Sequence, residues 1–249
     1  MILRSLLFAA IAVTASYFSR LYLHTDSFIA DVGALSAFLS VFGTLYGILA
    51  AFVVFEVWNQ YNHISELIDK EAQGLERLYR LTLYFRDDHL TAQVKSAIAE
   101  YANIIIEGKF EKLAAGLRNV DHGLAFRKIA DIIRHVEFDD DHDSIVFEQI
   151  VEHYGNLGQI RTERMNQSLS RLPVLLKSFI YIASFLALAT FVLMPFSNPY
   201  YAFLSVFIIG FLQAMIFNII EDLDNPFLGH WNLTTEPFAR ALKHIEEDY

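Results

Sequence analysis

The stretch that decides the fold is Val32-Gly-Ala-Leu-Ser-Ala-Phe-Leu-Ser-Val-Phe-Gly-Thr-Leu-Tyr-Gly-Ile-Leu-Ala-Ala-Phe-Val-Val-Phe55, and none of its 24 residues is charged. Because a helix rises about 1.5 Å per residue, about 20 apolar residues cross the roughly 30 Å hydrocarbon core of a bilayer. This run therefore predicts a transmembrane helix. Glu56, directly after Phe55, marks the point where that helix reaches the membrane edge.

Three further apolar blocks have the same character. They cover residues 5–22, 174–194 and 200–220, and Arg20 and Lys177 are the charged residues within them. Lysine close to a span end can extend its ammonium group to the interface, so Lys177 is compatible with a span. The sequence predicts four transmembrane helices in an all-α membrane protein.

The first block has a second interpretation. Arg4 followed by a short apolar stretch and the small residues Thr14-Ala15-Ser16 is also typical of a signal peptide. Apolar and aromatic residues continue beyond that point, at Tyr17, Phe18 and Tyr22, and favour a span that is retained.

Short connections predict that the spans form two hairpins, and four spans place both termini and the segment between the second and third spans on one side. That side carries more basic residues near the span ends, namely Arg4, Arg161, Arg164, Arg171 and Lys177. The other side has Arg20 and His24. Under the positive-inside rule, the more basic side is cytoplasmic.

The segment between the second and third spans reads as a helical domain. Pro is absent from Glu56 to Leu172, and apolar residues in the first part follow helical spacing, at positions 64, 67, 68, 72, 75, 78 and 79. Similar patterns cover 91–106, 124–136 and 145–170. The predicted organisation is a hairpin at 1–56, a helical cytosolic domain at 57–172, a second hairpin at 173–220 and a cytosolic tail at 221–249.

Composition excludes several classes of function. Cysteine is absent, which rules out disulfides and thiol chemistry, and the formal net charge of −10 argues against nucleic acid as a partner. The sequence contains no GxSxG, Walker or HExxH motif. We therefore expect no catalytic residues, no cofactor and no metal site.

One acidic run needs separate mention. Asp139-Asp140-Asp141-His142-Asp143 resembles a cation site, but as an EF-hand it has Ser144 where glycine is needed and Ile150 where glutamate is needed. An exposed acidic loop is the favoured interpretation.

The second span carries a stripe of small and polar residues, spaced three or four apart on one helix face: Gly33, Ser36, Ser40, Gly43, Thr44, Gly47 and Ala51. Small residues let membrane helices approach closely, so the stripe is explained by helix packing. Helix packing is the favoured interpretation from the sequence alone, and a pore-lining face wetted by hydroxyl groups is the alternative. Glu56 at the end of the span is either an interfacial charge or part of an ion pathway.

The segment after the fourth span, Glu221-Asp-Leu-Asp-Asn-Pro-Phe-Leu-Gly229, places acids where the helix dipole disfavours them. This arrangement suggests that the acids have partners, either a neighbouring subunit or one of three arginines, Arg161, Arg164 and Arg171. Pro226 stops the helix, Phe227 can anchor the chain, and Gly229 permits a turn.

Three stretches together resemble the bacterial bestrophin-like family of unknown function. They are the second span with its continuation, from Phe42 through Asn59 to Glu71-Ala72; Arg164-Met-Asn-Gln-Ser-Leu-Ser-Arg-Leu-Pro173; and Asp222-Leu-Asp-Asn-Pro-Phe227. The resemblance covers nearly the whole chain. It implies four membrane helices per subunit, cytosolic termini and a pentamer that conducts ions, with the second helix lining the pore.

The resemblance also implies roles for residues. The pore-lining candidates are Ser36, Ser40, Thr44, Gly47, Ala51 and Glu56. Candidates for a narrow aromatic neck are Phe38, Phe42, Phe52 and Phe55. The element after the fourth span consists of Asp222, Asp224, Asn225, Pro226 and Phe227. Animal bestrophins continue with acids that hold calcium, whereas Leu228-Gly-His-Trp-Asn-Leu follows here, so calcium gating of that kind is not expected.

The leading hypothesis is a homo-oligomeric ion channel, a pentamer, in the bacterial inner membrane. Its partners would be lipid, inorganic ions and other copies of the chain. Selectivity stays open, although Glu56 and the acidic domain favour cations. The alternative is a non-conducting membrane sensor or scaffold that acts through the helical cytosolic domain.

Overall fold

A computed structural model describes residues 1–23, 31–108, 110, 115, 121–138 and 141–247. Across these residues the secondary structure is helical, without a β-strand, which confirms the predicted all-α class. The helices are α1 (Ile2–Leu23), α2 (Val32–Thr82), α3 (Asp88–Gly108), α4 (Asp121–Ile133), α5 (Asp141–Leu169), α6 (Val174–Leu193), α7 (Pro199–Asp224) and α8 (Glu236–Glu247), with a 3₁₀ turn at Leu83–Phe85.

Four of the helical stretches within the described part of the chain are long and apolar enough to cross a membrane. They contain the four predicted spans. The second span is the first part of α2, which continues without a break for 51 residues. Nothing in the sequence interrupts it, because no proline occurs in this region. The helix that contains the fourth span, α7, ends at Asp224, so Glu221 and Asp222 lie in its last turn.

Local sequence sets the other helix boundaries. The α2 helix ends through the 3₁₀ turn at Arg86, which adopts a left-handed conformation (φ 57°). Asp87 then caps α3: its Oδ1 accepts hydrogen bonds from the backbone N–H groups of His89 (2.9 Å) and Leu90 (3.0 Å). Pro173 directly precedes α6, where its fixed φ suits the start of a helix.

The chain divides into two compact units. The first, which we call the membrane unit, comprises Met1–Asn59 and Arg171–Asp224. The second, which we call the helical unit, comprises Gln60–Ser170 and Asn225–Tyr249. The segment after α7 therefore belongs with the residues between the second and third spans.

In the membrane unit, α1 packs against α6 and α7. Gly210 on α7 lies against α1: a Cβ added there would be in van der Waals contact with Ala12 Cβ (3.4 Å) and Ala9 Cα (3.5 Å). At the other end of α1, Arg20 donates hydrogen bonds to the carbonyls of Met194 (2.9 Å) and Phe196 (3.4 Å). This packing supports the prediction that the first block is a retained span.

The helical unit has one large apolar core. The periodic positions predicted from the sequence are all buried, with exposed fractions of 3 % or less: Ile64, Leu67, Ile68, Ala72, Leu75, Leu78 and Tyr79. The sequence alone indicates only a tail after residue 221, whereas α8 contributes Phe238, Ala241 and Ile245 to this core. The C-terminal segment is thus part of the folded helical unit.

Candidate pore helix and buried ion pairs

The first part of α2 presents two different surfaces in the membrane unit. One surface packs against the subunit: Ala50, Val53 and Val57 are buried, and Tyr46 Oη lies 2.5 Å from Ser184 Oγ on α6. Against the described residues of the chain, most of the other side chains between Val32 and Glu56 are exposed. Most of the surface of the first part of α2 is therefore available for contacts outside the subunit.

The small and polar stripe belongs to the uncovered surface. Ser36, Ser40, Thr44, Gly47 and Ala51 are all exposed, and a Cβ added at Gly47 would meet nothing within 4 Å. Thr44 Oγ1 donates to the Ser40 carbonyl at 2.8 Å, so this hydroxyl is satisfied by its own helix. The stripe forms no packing seam with the described residues of its own subunit. Water, lipid or another copy of the chain would cover it.

The four aromatic candidates lie in different environments. Phe38, Phe52 and Phe55 are 57–60 % exposed. Phe42 is half-buried and stacks between Phe38 (ring centroids 5.6 Å apart) and Tyr46 (6.4 Å), on the side that packs against the subunit. Only Phe55 shares a face with the stripe, because 11 residues separate it from Thr44 and at 100° per residue this amounts to a rotation of only about 20°.

Glu56 is exposed but lies on another face of α2. It follows Gly47 by nine residues, which corresponds to a rotation of about 180°, and Thr44 by twelve, which corresponds to about 120°. Phe38 and Phe52 share its face. The sequence groups Glu56 with the stripe as pore-lining, but a straight helix does not place both on the same wall of a pore.

At the end of α7, Asp224 is held by partners from α6 and the residues before it. Its side chain is 6 % exposed and lies 2.8 Å from Lys177 Nζ, and its Oδ1 accepts a hydrogen bond from the backbone N–H of Leu172 at 2.5 Å. Partial burial lowers the pKa of the nearby Arg171 guanidinium, and the Asp224 carboxylate acts in the opposite direction. The acids do have partners, and Lys177 bonds to them rather than extending freely to the interface.

Glu221 shares this arrangement one turn earlier. It accepts a hydrogen bond from Tyr181 Oη and lies 3.4 Å from Lys177 Nζ, although its own side chain is 55 % exposed. The two acids and Lys177 join the end of α7 to the start of α6.

The residues after α7 form a closed turn in the helical unit. The N–H of Leu228 bonds to the Asn225 carbonyl (3.0 Å), and the N–H of Leu233 bonds to the Pro226 carbonyl (2.7 Å). Gly229 has a φ of 98°, which confirms the predicted turn. Phe227 is 7 % exposed and packs on the Phe110 ring (centroids 5.1 Å apart), so it anchors the chain as expected.

The structure reveals a buried ion pair that the sequence reasoning missed. Arg164 on α5 and Glu71 on α2 are both 0 % exposed, and two guanidinium nitrogens bond to the Glu71 carboxylate, the Nη2 contact at 3.3 Å. Tyr101 Oη donates to the same carboxylate. Burial lowers the pKa of Arg164, but the charge of Glu71 more than offsets this, so the pKa is raised overall.

A signal for this pair exists in the sequence. Glu71 lies three residues after Ile68 and four before Leu75, so the periodic pattern puts a charge on the buried face of α2. A charge in that position needs a partner. The sequence analysis instead counted Arg164 among the membrane-flanking basic residues and among possible partners of the acids after α7.

Aromatic rings surround the ion pair. The Arg164 guanidinium lies 5.4 Å from the Phe110 ring centroid, and the Arg161 guanidinium lies 5.4 Å from that of Phe126. Tyr154 Oη donates to the Phe126 carbonyl at 3.0 Å, and burial raises the pKa of Tyr154 to about 12. Arg164 is therefore in the interior of the helical unit and Arg161 is half-buried there. Arg4, Arg171 and Lys177 remain as basic residues near span ends.

The acidic run is only partly visible. Asp139 and Asp140 lie outside the described residues, while Asp141, His142 and Asp143 begin α5, where the helix dipole favours acids. In the part of the chain that the structure describes, no three His, Asp or Glu side chains are grouped so that they could hold a metal ion.

Comparison with known proteins places this arrangement in a family. The model of the Bestrophin-like domain matches residues 6–238. A bacterial Bestrophin homolog from Klebsiella pneumoniae has a similar solved structure, with a TM-score of 0.75 at 12 % sequence identity, and the match covers 100 % of this chain and 98 % of that one. The crystal structure of a membrane protein G264A is similar with a TM-score of 0.73 at 11 % identity, over 100 % and 98 % of the two chains. The search of curated proteins finds no match.

The fold is that of an all-α membrane protein with four spans. The chain belongs to the Bestrophin-like family, because the family model covers nearly its full length. The resemblance inferred from the sequence is confirmed.

Proposed function

We propose that the protein is an ion channel, a pentamer in which the stripe on α2 lines the pore. The observation that carries the proposal is the exposure of Ser36, Ser40, Thr44, Gly47 and Ala51 on a membrane helix whose other side packs against its own subunit. Membership of a family that resembles channels lined by the second helix supports the same assignment.

The chemistry of the stripe suits permeation. Serine hydroxyls and the exposed backbone at glycine offer dipoles to a passing ion without binding it strongly. The Thr44 hydroxyl already bonds to its own helix, so it presents an oxygen lone pair and a methyl group to the pore. Phe55 on the same face would narrow the pore near its cytoplasmic end. Glu56, on another face, would lie outside the pore wall.

The exposure of apolar residues beside the stripe supports the multi-subunit form of the channel. The exposed apolar residues of α2 include Val41, Leu45 and Ile48, each 63–66 % exposed, and they flank the stripe on one side. In a ring of subunits this flank would contact neighbouring helices or lipid while the stripe faces the axis. We place the protein in the bacterial inner membrane with both termini in the cytoplasm.

The runner-up function is a non-conducting sensor or scaffold. One observation favours it: α2 is one helix from Val32 to Thr82, and its residues belong to both units. Measuring the oligomeric state in detergent distinguishes the channel from the sensor or scaffold. A monomer would lack the other copies of the chain that a pore needs.

Bilayer current from purified pentamer under asymmetric KCl tests the proposal. We expect reproducible current from the wild type, and an unchanged reversal potential for Glu56→Gln because Glu56 lies off the pore face. A reversal potential shifted toward anions in Glu56→Gln would place Glu56 in the pathway and contradict the assigned face. Silence from well-folded pentamer, across pH and calcium concentration, would reject the channel.

A further inference from the structure

The turn that follows α7 exposes two large apolar side chains. Leu228 is 54 % exposed and Trp231 is 42 % exposed, whereas Phe227 before them and Leu233 after them pack against the core of the helical unit. We call residues 228–232 the Trp231 loop. Its two apolar residues are thus presented outward by a segment that is anchored on both sides.

The Trp231 loop follows the last residue of α7 within a few positions along the chain. The hydrogen bond from the Leu233 N–H to the Pro226 carbonyl (2.7 Å) closes the loop on its own start. Trp231 is two residues from Leu233, so its Cα cannot be more than about 12 Å from Pro226. Pro226 itself follows Asp224, the last residue of α7, by two positions.

The chemistry of the loop matches the boundary layer of a bilayer. Leu228-Gly-His-Trp-Asn contains no acidic residue, Lys or Arg, and it combines an aliphatic residue and an indole with polar side chains. Tryptophan prefers the headgroup region, because its ring is apolar while its N–H can bond to polar groups. In water the same two side chains would leave a costly apolar surface exposed.

We propose that the Trp231 loop inserts Leu228 and Trp231 into the lipid headgroup layer and anchors the chain there after the fourth span. The few residues of chain between α7 and the loop, together with the exposed Leu228 and Trp231, favour lipid as the partner. The proposal does not depend on ion conduction.

Tryptophan fluorescence tests the anchor, because the chain has only two tryptophans, Trp58 and Trp231. In Trp58→Phe protein, reconstituted into phosphatidylcholine vesicles, the emission comes from Trp231 alone. We expect lipids brominated near the carbonyl end of their chains to remove most of this emission and lipids brominated near the methyl end to remove less. Iodide in the water should quench it weakly.

Two controls keep the test decisive. Leu228→Asp in the Trp58→Phe background should shift Trp231 toward water, with less quenching by bromolipid and more by iodide. Trp231→Phe protein reports Trp58 as an independent reference and shows that the vesicles quench. Emission quenched by iodide but not by bromolipid would overturn the proposal, and so would emission protected from both, which would show that protein rather than lipid covers Trp231.

Discussion

Replacing Arg164 by alanine is expected to lower the free energy of unfolding by about 3–5 kcal/mol, since it leaves Glu71 charged and buried without its cation. Both side chains are 0 % exposed, and Tyr101 bonds to the same carboxylate, so no solvent compensates for the loss. The midpoint of thermal unfolding in detergent, followed by circular dichroism, measures the effect.

Two matched variants separate this explanation from a general sensitivity of α5. His63 and Glu163 form a 3.0 Å pair between the same two helices, but their side chains are 42 % and 52 % exposed. His63→Ala should cost at most about 1 kcal/mol, because exposed pairs contribute little. The double variant Glu71→Leu with Arg164→Met should be more stable than Arg164→Ala, since it removes both charges. If His63→Ala and Arg164→Ala destabilise equally, the burial argument is wrong.

Replacing Asp224 by alanine is expected to cost about 2–4 kcal/mol, because it removes the acceptor of the buried Leu172 N–H and one partner of Lys177. The side chain is 6 % exposed and both contacts are short. The junction between α7 and α6 should loosen, and the same thermal unfolding measurement detects the loss.

Glu221→Ala is the matched control for Asp224→Ala. Glu221 also contacts Lys177, but at 3.4 Å and with a side chain that is 55 % exposed. We expect it to cost less than about 1 kcal/mol, in the range of exposed pairs. A larger loss for Glu221→Ala than for Asp224→Ala would show that Tyr181 and Glu221, rather than Asp224, hold this junction.

The parts of the fold that depend on local pattern were predictable from the sequence. The apolar blocks predicted the four spans. The periodic residues from Ile64 to Tyr79 predicted the buried face of α2, because burial repeats with the period of the helix. The turn at Gly229 followed from its composition. In each case the information lies within about one helix length of sequence.

The contacts that depend on distant residues were not predictable in the same way. Glu71 and Arg164 are 93 residues apart, and nothing local pairs them. Lys177 is adjacent to Asp224 only because α6 and α7 fold back on each other. The helix α8 was missed although Phe238, Ala241 and Ile245 have helical spacing, because its periodic pattern is only one short segment long.

The candidate pore face could be predicted from the sequence only in part. The sequence identified the stripe, since its spacing of three and four is a local property. It also grouped Glu56 with the stripe, although counting nine residues from Gly47 at 100° per residue already separates their faces. Exposure then distinguishes Phe42, which packs toward its own subunit, from Phe55.

The most direct measurement of the central claim uses the absence of cysteine in the chain. A positively charged methanethiosulfonate reagent should leave wild-type current unchanged and should abolish most of the current through Ser40→Cys and Thr44→Cys. Leu45→Cys, at the depth of Thr44 but on another exposed face, should be unaffected. Loss of current in Leu45→Cys with no change in Ser40→Cys and Thr44→Cys would contradict the pore face, and unchanged current in all three would contradict a pore lined by α2.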